Sequence, residues 1–477
     1  MVKMQIINEQ NVAQFLKKHK VQTRPNAGPG LWLTLLLPLA LIISAATQPI
    51  ISTSTYKLSS IFSVGLICSS LVFLYQISSN KRLKIFNAWL IAACIIVTVL
   101  FRICLHRGMA FSIWSAIFST ILYYKLYIFI LEKLPKCFTL GEAAVCTQSY
   151  TLLLYFTLVN VFQHVEKTPT TVMQMSTLTI QVGLFGISTI IFLTYLCGIR
   201  SPTKFYILTG SVFVFTVLLP LEILLKKNAL LWILNLFWDD LQTNKVVLYW
   251  TVFSLVAIVS VNKRIKEAKK ATTAVRKIFH VLTVAVFVPG LVYNCSFLYL
   301  ASGVIFGIFF LLEVLRILNV PPLGQALQNG LVIFGDEKDT GIIALTPMYL
   351  LAGCALPLWI HPAPCDVTNS ATFSLLPLLS GLLTIGIGDT AASIVGSRFG
   401  THHWHGSKKT IEGTIACVVS QLLTICFLIF LDVLKLPTTK DHVKTVVAII
   451  MTSILEAKTD QVDNLALPFV MYLVLIV

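Results

Sequence analysis

Stretches of about 20 consecutive apolar residues recur along the whole chain, and they restrict its fold more than any other feature. The hydrocarbon core of a bilayer contains no water to bond exposed backbone groups, so segments of this length cross it as α-helices. Apolar segments are centred near residues 41, 68, 95, 120, 154, 187, 214, 254, 286, 307, 350, 384, 422, 449 and 471, the last two being short. The sequence therefore predicts an all-α, polytopic membrane protein with about 13–15 transmembrane helices.

The distribution of Lys and Arg predicts how these helices are oriented, because short cytoplasmic loops are enriched in basic residues. If the N-terminus is cytoplasmic, the predicted cytoplasmic segments contain most of the 36 Lys and Arg residues, with clusters at 81–84, 263–277 and 398–409. We therefore expect a cytoplasmic N-terminus. About 30 mainly polar residues precede the first apolar segment, which we expect to be an uncleaved anchor rather than a signal peptide.

Net charge and cysteine content bear on partners and redox chemistry. The net charge of +16 is spread over loops beside the membrane, where anionic lipid headgroups are the usual counterpart, so we expect membrane lipids and no nucleic acid as partners. The 11 cysteines lie mostly inside apolar segments without paired spacing. We therefore expect neither a disulfide framework nor a zinc site.

Polar residues are distributed unevenly, which predicts two regions. Residues 1–262 are predicted to form an N-terminal multi-span region of about 8 helices, with an amphipathic stretch at 230–240 in the membrane interface. Residues 263–477 are predicted to form a C-terminal catalytic membrane domain, in which polar motifs follow the ends of the spans. Even numbers of predicted crossings separate these motifs, so we expect them to line one cytoplasmic cavity.

The segment 386–414, GIGDTAASIVGSRFGTHHWHGSKKTIEGT, carries the most specific chemistry. Asp389 lies in an apolar span, where an ionisable residue is costly and usually functional, and a carboxylate there is suited to Mg²⁺. Small residues recur at every fourth position, at Gly388, Ala392, Gly396 and Gly400. On a helix they form a stripe without large side chains. These four positions are candidates for binding a nucleotide, and close helix packing is the alternative interpretation of this stripe.

The loop after Asp389 supplies the complementary charge. Lys408 and Lys409 precede a new apolar helix, so free backbone N–H groups and two ammonium ions are expected to face an anion together. A basic cytoplasmic loop without a ligand is the alternative. Trp404 stands among three histidines, and we expect it either to stack on the base of a nucleotide or to lie in the interfacial aromatic belt. A nucleotide-binding loop is predicted at about 397–413, with the further candidates Ser397, Arg398, Trp404, Gly406, Ser407, Thr410 and Gly413.

Four further polar motifs lie at the ends of predicted spans. RKIFH contains Arg276, Lys277 and His280; LLEVLRIL contains Glu313 and Arg316; FGDEKDTG contains Asp336 and Asp339; EAKTDQVDNLALP contains Asp460, Asp463 and Asn464. The first three have structural alternatives: a packing histidine in RKIFH, a salt bridge at the membrane edge in LLEVLRIL, and a solvated acidic loop in FGDEKDTG.

Together these motifs resemble the dolichol kinase family, from about Lys263 to the C-terminus and most specifically in GDTAASIVGSRFG…HGSKKTIEGT. The resemblance implies CTP as phosphoryl donor and dolichol as acceptor. It further implies a divalent cation, Mg²⁺ or another, and dolichyl phosphate as product, the lipid carrier for protein N-glycosylation. It implies a multi-pass protein of the endoplasmic reticulum membrane, whose CTP site faces the cytoplasm.

Phosphoryl transfer requires a metal, cations on the transferred group and an acceptor held in line. We accordingly hypothesise that Asp389 binds Mg²⁺ and that Lys408 and Lys409 contact the β- and γ-phosphates. Glu412 is expected to orient the lysines or a metal-bound water. The candidates for accepting the alcohol proton or holding a second metal are Asp336, Asp339 and Asp463.

Three alternative functions remain open at this point. Other CTP-dependent polyprenol or phytol kinases are close relatives of the family. Phosphatidate cytidylyltransferases also use CTP, but they carry a K-D-x-G…H-G-G…D-R-x-D block that is missing after Lys409. A secondary transporter would tend to show interrupted helices in both halves, whereas the polar groups here lie in one half.

Overall fold

The computed structural model describes residues 9–49, 52–79, 83–238, 241–267, 271–368 and 373–477. Within these ranges the chain is helical and forms no β-strand beyond an isolated bridge between His403 and Thr410. The prediction of an all-α fold is confirmed. Parts of three predicted features lie outside the described residues: Lys81 and Arg82, Asp239 and Asp240, and Lys269 and Lys270.

Among its described residues, the first half of the chain forms twelve helices, two of which continue through π-helical turns. They are α1 (Glu9–Lys18), α2 (Leu36–Thr47, after a 3-10 turn Leu31–Leu35), α3 (Ser54–Ser79), α4 (Leu83–Leu105), α5 (Met109–Ile117, continued by the π-helix Phe118–Leu122), α6 (Tyr123–Lys133), α7 (Leu140–Glu166), α8 (Val172–Leu196), α9 (Pro202–Val212, continued by the π-helix Phe213–Leu218), α10 (Leu219–Leu225), α11 (Ala229–Trp238) and α12 (Leu241–Glu267).

In the part of the second half that the structure describes, there are nine α-helices and one further π-helical segment. They are α13 (Thr273–Tyr293), α14 (Cys295–Ile317), α15 (Gly324–Phe334), α16 (Thr346–Ile360), α17 (Pro364–Thr368), α18 (Thr390–Phe399, preceded by the 3-10 helix Phe373–Leu379 and the π-helix Leu382–Asp389), α19 (Ile411–Phe430), α20 (Thr439–Lys458) and α21 (Asp463–Ile476).

Ten helical segments among the described residues are long and apolar enough to cross a membrane. They are Ser54–Ser78, Phe86–Leu105, Met109–Lys133, Leu140–Glu166, Val172–Leu196, Pro202–Leu225, Leu241–Lys263, Val275–Tyr293, Cys295–Ile317 and Ile411–Phe430. Three shorter apolar helical segments, Leu31–Thr47, Thr346–Ile360 and Asp463–Ile476, accompany them. Every centre predicted from the sequence falls inside a helix. The chain is a multi-pass membrane protein.

Helices α16 and α21 join the two halves, because each is buried on both sides. On α21, Leu465, Phe469 and Tyr472 belong to the core that contains α2–α7, whereas Met471 and Leu475 belong to the core of the second half. The Ser44 hydroxyl of α2 also shares a hydrogen bond of 2.9 Å with the Tyr472 hydroxyl. The division into residues 1–262 and 263–477 remains a prediction, and α16 and α21 both pack against the two parts.

One expectation about the cysteines is wrong. Cys295, the first residue of α14, forms a disulfide with Cys365 of α17, with the two Cα atoms 5.4 Å apart. The two cysteines are separated by 70 residues in the chain, so their spacing gave no indication of the pair. Only the packing of α17 beside the start of α14 brings them together.

Candidate functional site

Five charged side chains from separate segments meet where the ends of α13, α18, α20 and α21 come together. They are Lys277, Asp389, Lys409, Glu456 and Asp463, and we call them the charge cluster. All but Glu456 are candidates from the sequence, so the predicted convergence of the RKIFH, GDTAAS, HGSKKT and TDQVDN motifs is observed in the fold.

Asp389 lies at the last position of the π-helix that leads into α18, and it is buried, with a relative exposure of 6%. A π-helical turn inside an α-helix often accompanies a functional site, because the wider turn redirects side chains. The Lys277 ammonium group of α13 forms an ion pair with Asp389. His280, one turn further along α13, places its Nε2 atom 3.6 Å from the same carboxylate. The carboxylate of Asp389 is therefore in contact with two side chains of the RKIFH motif, Lys277 and His280.

Lys409 approaches the cluster from the loop before α19. Its Nζ atom lies 2.5 Å from Glu456 Oε1 and 3.6 Å from Asp463 Oδ2. Burial by itself lowers the pKa of the Lys409 ammonium group, but the carboxylates of Asp463 and Glu456 outweigh burial and raise this pKa above its ordinary value. Lys409 therefore remains positively charged at neutral pH.

Three carboxylates of the cluster are close enough to share a cation. One oxygen each from Asp389, Glu456 and Asp463 lies within 4.8 Å of the others. The Asp463 Oδ1 atom is buried and has no hydrogen-bond partner among the described residues. Carboxylate oxygens are the ligands that hard divalent cations prefer, so this set of donors fits Mg²⁺ or a similar ion.

Two members of this neighbourhood were missed at the sequence level. Glu456 lies in the last turn of α20, and its position as an acidic residue in a mainly apolar helix is the same signal that identified Asp389. Lys338 has its Nζ atom 3.4 Å from Asp463 Oδ2 and 3.1 Å from the Gln461 carbonyl oxygen. Nothing in the sequence around Lys338 distinguishes it from a solvated loop lysine.

The acidic loop before α16 supports the site from one side. Asp336 accepts a hydrogen bond of 2.5 Å from Arg276 Nη1. The Asp339 Oδ1 atom accepts from the backbone N–H groups of Leu345 and Thr346, at 2.9 and 3.1 Å, and so holds the start of α16. Both carboxylates are thus engaged by protein groups.

Glu313 and Arg316 form the salt bridge that was the structural alternative for their motif. The Arg316 guanidinium group donates to both Glu313 oxygens, at 2.6 and 2.9 Å, and to the Ile342 carbonyl oxygen at 2.6 Å. Glu313 also accepts from the Ala344 N–H group at 2.7 Å. This arrangement ties the end of α14 to the segment before α16, and the structure does not bring the pair into the charge cluster.

Asp460 and Asn464 take different places in the EAKTDQVDNLALP motif. Asp460 accepts hydrogen bonds from the Gly28 N–H group at 2.5 Å and from Gln461 Nε2 at 2.6 Å, so its carboxylate holds the N-terminal segment. Asn464 is buried in the first turn of α21, directly after Asp463.

The loop between α18 and α19 is a tight hairpin. The Trp404 N–H group donates to the Lys409 carbonyl at 3.0 Å, and the Ile411 N–H group donates to the His402 carbonyl at 2.8 Å. The chain turns at Gly406, whose φ of 73° is a backbone conformation that residues with a Cβ atom rarely adopt. The hairpin directs Lys409 inward and leaves Lys408 exposed.

Glu412 has partners other than those expected from the sequence. Its Oε1 atom accepts hydrogen bonds from the Thr401 hydroxyl at 2.8 Å and the His402 N–H group at 3.1 Å, and it lies 2.7 Å from His402 Nδ1. The first turn of α19 points this side chain toward the start of the hairpin, away from both lysines. Glu412 therefore closes the loop instead of orienting Lys408 or Lys409.

Trp404 and Ser407 fasten the hairpin to its surroundings. The Trp404 Nε1–H group donates to the Thr414 hydroxyl at 2.9 Å, and the Lys458 ammonium group lies 5.4 Å from the Trp404 ring centroid. The Ser407 hydroxyl donates to the Ala457 carbonyl at 3.2 Å, one residue after Glu456. Ser397 and Arg398 are exposed at the end of α18.

The stripe of small residues faces α19. A Cβ atom on Gly396 would lie 2.9 Å from the Thr410 hydroxyl oxygen, and one on Gly388 would lie 2.7 Å from Gln421 Nε2. A Cβ atom on Gly413 would lie 2.9 Å from the Ala392 carbonyl oxygen, and Gly400 also abuts Thr410. Thr410 itself caps α19 by accepting from the Gly413 N–H group at 3.2 Å. These contacts favour the packing interpretation for Gly388, Ala392 and Gly396.

Comparison with known proteins identifies the family of proteins to which the chain belongs. A sequence model described as "Dolichol kinase" matches residues 90–425. The chain belongs to the dolichol kinase family. The family match begins well before Lys263, so the relationship includes much of the N-terminal region and not only the C-terminal motifs. Glu456 and Asp463 lie beyond its end.

Individual dolichol kinases show the same relationship. The chain is 33% identical to the dolichol kinase of Homo sapiens over 359 residues, which cover 72% of this chain and 66% of the human protein. It is 32% identical to that of Bos taurus over 376 residues, covering 75% of this chain and 68% of the bovine protein. It is 26% identical to the dolichol kinase of Saccharomyces cerevisiae over 243 residues, which cover 51% of this chain and 44% of the yeast protein.

The match thus spans just under two thirds of the human dolichol kinase. No solved structure matches the chain.

Proposed function

We propose that this protein transfers the γ-phosphate of CTP to the hydroxyl group of dolichol and produces dolichyl phosphate. Membership of the dolichol kinase family supports the acceptor, since relatives across animals and fungi carry that name. The observation that carries the proposal is the charge cluster, in which three carboxylates and two ammonium groups share one partly buried position at the ends of apolar helices.

The mixture of charges in the cluster fits a metal–nucleotide complex, which also carries both signs. Mg²⁺ prefers one or two protein carboxylates together with phosphate oxygens and water, and the buried Asp389 and Glu456 would supply those carboxylates. When bound, the cation neutralises negative charge on the phosphates. Lys277 and Lys409, whose side chains are 12% and 32% exposed, supply ammonium groups for phosphate oxygens. Lys408, on the outside of the hairpin, is placed to meet a nucleotide as it enters.

Asp463 is the best of the three proposed proton acceptors. Asp336 is paired with Arg276, and Asp339 holds two backbone N–H groups of α16. By contrast, the Oδ1 atom of Asp463 is unpartnered among the described residues. We therefore assign to Asp463 Oδ1 the acceptance of the proton from the dolichol hydroxyl group. A polyprenol presents this hydroxyl at the headgroup level, where the spans carrying the cluster end.

We further propose that the cluster faces the cytoplasm in the endoplasmic reticulum membrane. Helix α13 runs from Lys277 at the cluster to Tyr293, and the next helix begins with Cys295, which is disulfide-bonded. Structural disulfides persist in oxidising compartments such as the lumen of this organelle and are rare in the cytosol. The opposite end of α13 therefore belongs on the cytoplasmic side, in agreement with the distribution of basic loops.

The orientation is tested by labelling Lys408→Cys in sealed microsomes with a membrane-impermeant maleimide, with the parent protein as background control. We expect additional labelling without permeabilisation. Labelling of the new cysteine only after the membrane is opened would place the hairpin in the lumen.

The reaction is tested with purified protein in detergent, dolichol and CTP labelled at either phosphate. We expect γ-label in the lipid product, loss of activity with a chelator of divalent cations, and a lower rate with ATP or GTP. Appearance of α-label in the lipid would indicate cytidylyl transfer. Preference for phytol or another isoprenoid alcohol in a panel of acceptors would identify a different branch of polyprenol kinases.

A further inference from the structure

A buried ion pair in the N-terminal region lies next to the segment that carries Asp463. Arg24, before the first apolar helix, and Glu142, in the first turn of α7, have relative exposures of 5% and 0%. The Arg24 Nη2 atom donates to Glu142 Oε1 at 2.6 Å, and the Nε atom donates to Oε2 at 3.3 Å. These two residues are 118 positions apart in the chain, so the pair is a tertiary feature.

Each member of the pair also binds the backbone of the segment between α20 and α21. The Arg24 Nη2 atom donates to the Asp460 carbonyl oxygen at 3.1 Å. Glu142 Oε1 accepts from the Val462 N–H group at 2.9 Å. Asp463 follows Val462 directly and begins α21. The pair therefore fixes the backbone one residue before a carboxylate of the charge cluster.

Further hydrogen bonds from the N-terminal region reach the same segment. The Thr139 hydroxyl donates to Gln461 Oε1 at 2.7 Å, and Gln461 Nε2 donates to the Gly28 carbonyl at 3.1 Å. The Gly28 N–H group donates to the Asp460 carboxylate. Three consecutive residues, 460–462, are thus held on one side by residues before position 143, while Asp463 faces Lys338 and Lys409 on the other side.

Stability alone does not account for placing these charges here. A buried ion pair adds little stability compared with well-packed apolar side chains, because removing both charges from water costs about as much as their attraction returns. What such a pair supplies is geometry, since the guanidinium fork and the carboxylate each bond in fixed directions. Here the guanidinium group bonds the Asp460 carbonyl oxygen, and the carboxylate bonds the Val462 N–H group.

We propose that Arg24 and Glu142 are positioning residues that act through the 460–462 backbone to hold Asp463 in the charge cluster. The kinetic consequence rests on the proposed function. The N-terminal region then sets the geometry of a site whose reacting groups all lie in the C-terminal half.

The test is the double variant Arg24→Met/Glu142→Met, which removes both charges and leaves neither unpaired. Hydrogen exchange of the peptide containing residues 459–464 is measured by mass spectrometry, together with kcat and KM for CTP and the thermal midpoint. We expect exchange at least about tenfold faster and kcat at least about tenfold lower, with KM for CTP changed by less than about threefold.

Two control variants separate positioning from general loosening. Gln174→Met removes the equivalent side chain from the capping box at the start of α8, as Glu142→Met does at α7. Gln148→Leu removes a fully buried hydrogen-bonding side chain from α7 that contacts Thr34, Ser70 and Tyr123 instead of residues 460–462. We expect both controls to leave exchange at 459–464 and kcat per folded molecule as in the parent protein.

If the double variant does not fold, Arg24→Lys provides the same comparison, since an ammonium group keeps the charge but lacks the fork that reaches both Glu142 and Asp460. Parental exchange at 459–464, or faster exchange with parental kcat, would overturn the proposal. Because exchange is measured without substrate, absence of kinase activity in the parent protein would count against the proposed function and leave the anchoring of residues 460–462 to be judged separately.

Discussion

Apart from the Arg24–Glu142 pair beside residues 460–462, the two halves of the molecule bury polar groups of different kinds. Inside the first half, the Gln148 amide donates to the Thr34 carbonyl at 2.8 Å and to the Ser70 hydroxyl at 3.3 Å, and Ser115 shares a hydrogen bond of 2.7 Å with Tyr155. These groups are neutral. Inside the second half, Asp389 and Glu456 are buried as partners of Lys277 and Lys409.

This difference separates packing from chemistry. A neutral hydrogen bond inside a helical membrane protein contributes little free energy, roughly 0.6 kcal/mol on average, and it specifies how helices fit together. A buried charge is far more costly and is usually retained for a function. We therefore expect substitutions in the charge cluster to remove activity, and substitutions among the neutral groups to affect stability alone.

The largest effect is expected for Asp389→Asn. The amide keeps the shape but cannot bind a cation as a carboxylate does, and we expect kcat to fall at least about a thousandfold, equivalent to about 4 kcal/mol of lost transition-state stabilisation. The measurement is transfer of γ-label from CTP to dolichol, with the amount of folded protein determined in parallel.

Its control is the double variant Asp389→Asn/Lys277→Met, which avoids leaving a buried ammonium group unpaired. We expect this variant to regain any lost stability and to remain inactive. Near-parental activity in either variant would show that the carboxylate of Asp389 takes no part in catalysis.

The next effect compares two adjacent lysines. Lys409→Met removes the ammonium group that faces Glu456 and Asp463, and we expect kcat/KM to fall about a hundredfold, or about 3 kcal/mol. Lys408→Met changes the exposed neighbour, and we expect KM for CTP to rise less than about tenfold with kcat retained. Steady-state kinetics on both variants provide the comparison. Equal losses would mean that burial does not distinguish their roles.

A smaller and more specific effect is expected for Glu456→Gln. Removing one carboxylate of the set weakens cation binding, so the Mg²⁺ concentration for half-maximal activity should rise about tenfold, with much of the activity regained at saturating Mg²⁺. Asp432→Asn, at an exposed carboxylate after α19, is the matched control and should not change the Mg²⁺ requirement. An unchanged Mg²⁺ dependence for Glu456→Gln would remove this residue from the cation site.

The smallest effect on activity is expected for Gln148→Leu. Loss of its amide leaves the Thr34 carbonyl unpaired in the interior and should lower stability by about 1–2 kcal/mol, seen as a lower thermal midpoint in detergent. Turnover per folded molecule should be unchanged. A large fall in turnover with a parental midpoint would contradict the distinction between neutral packing groups and the charge cluster.

Several features of the site were accessible from the sequence because they depend on local pattern. Asp389 stands out as an acid in an apolar span, and Lys409 as a base before a helix start. The sequence left two alternatives open for Glu313 and Arg316, and the structure shows the salt bridge. For Glu412 the sequence suggested the lysines or a metal-bound water as partners, whereas the hairpin supplies Thr401 and His402. Such choices depend on which way a turn of helix faces, and spacing alone does not specify it.

The sequence by itself determined that the chain is a helical membrane protein and in which motifs its ionisable groups are concentrated, because lipid imposes length and apolarity on every span. Only the tertiary structure decided that Glu456 joins Asp389 and Asp463, that Cys295 pairs with Cys365, and that Arg24 reaches Asp460. Each of these contacts joins residues far apart in the chain. Their formation depends on how helices with similar apolar surfaces pack together, and hydropathy does not encode that order.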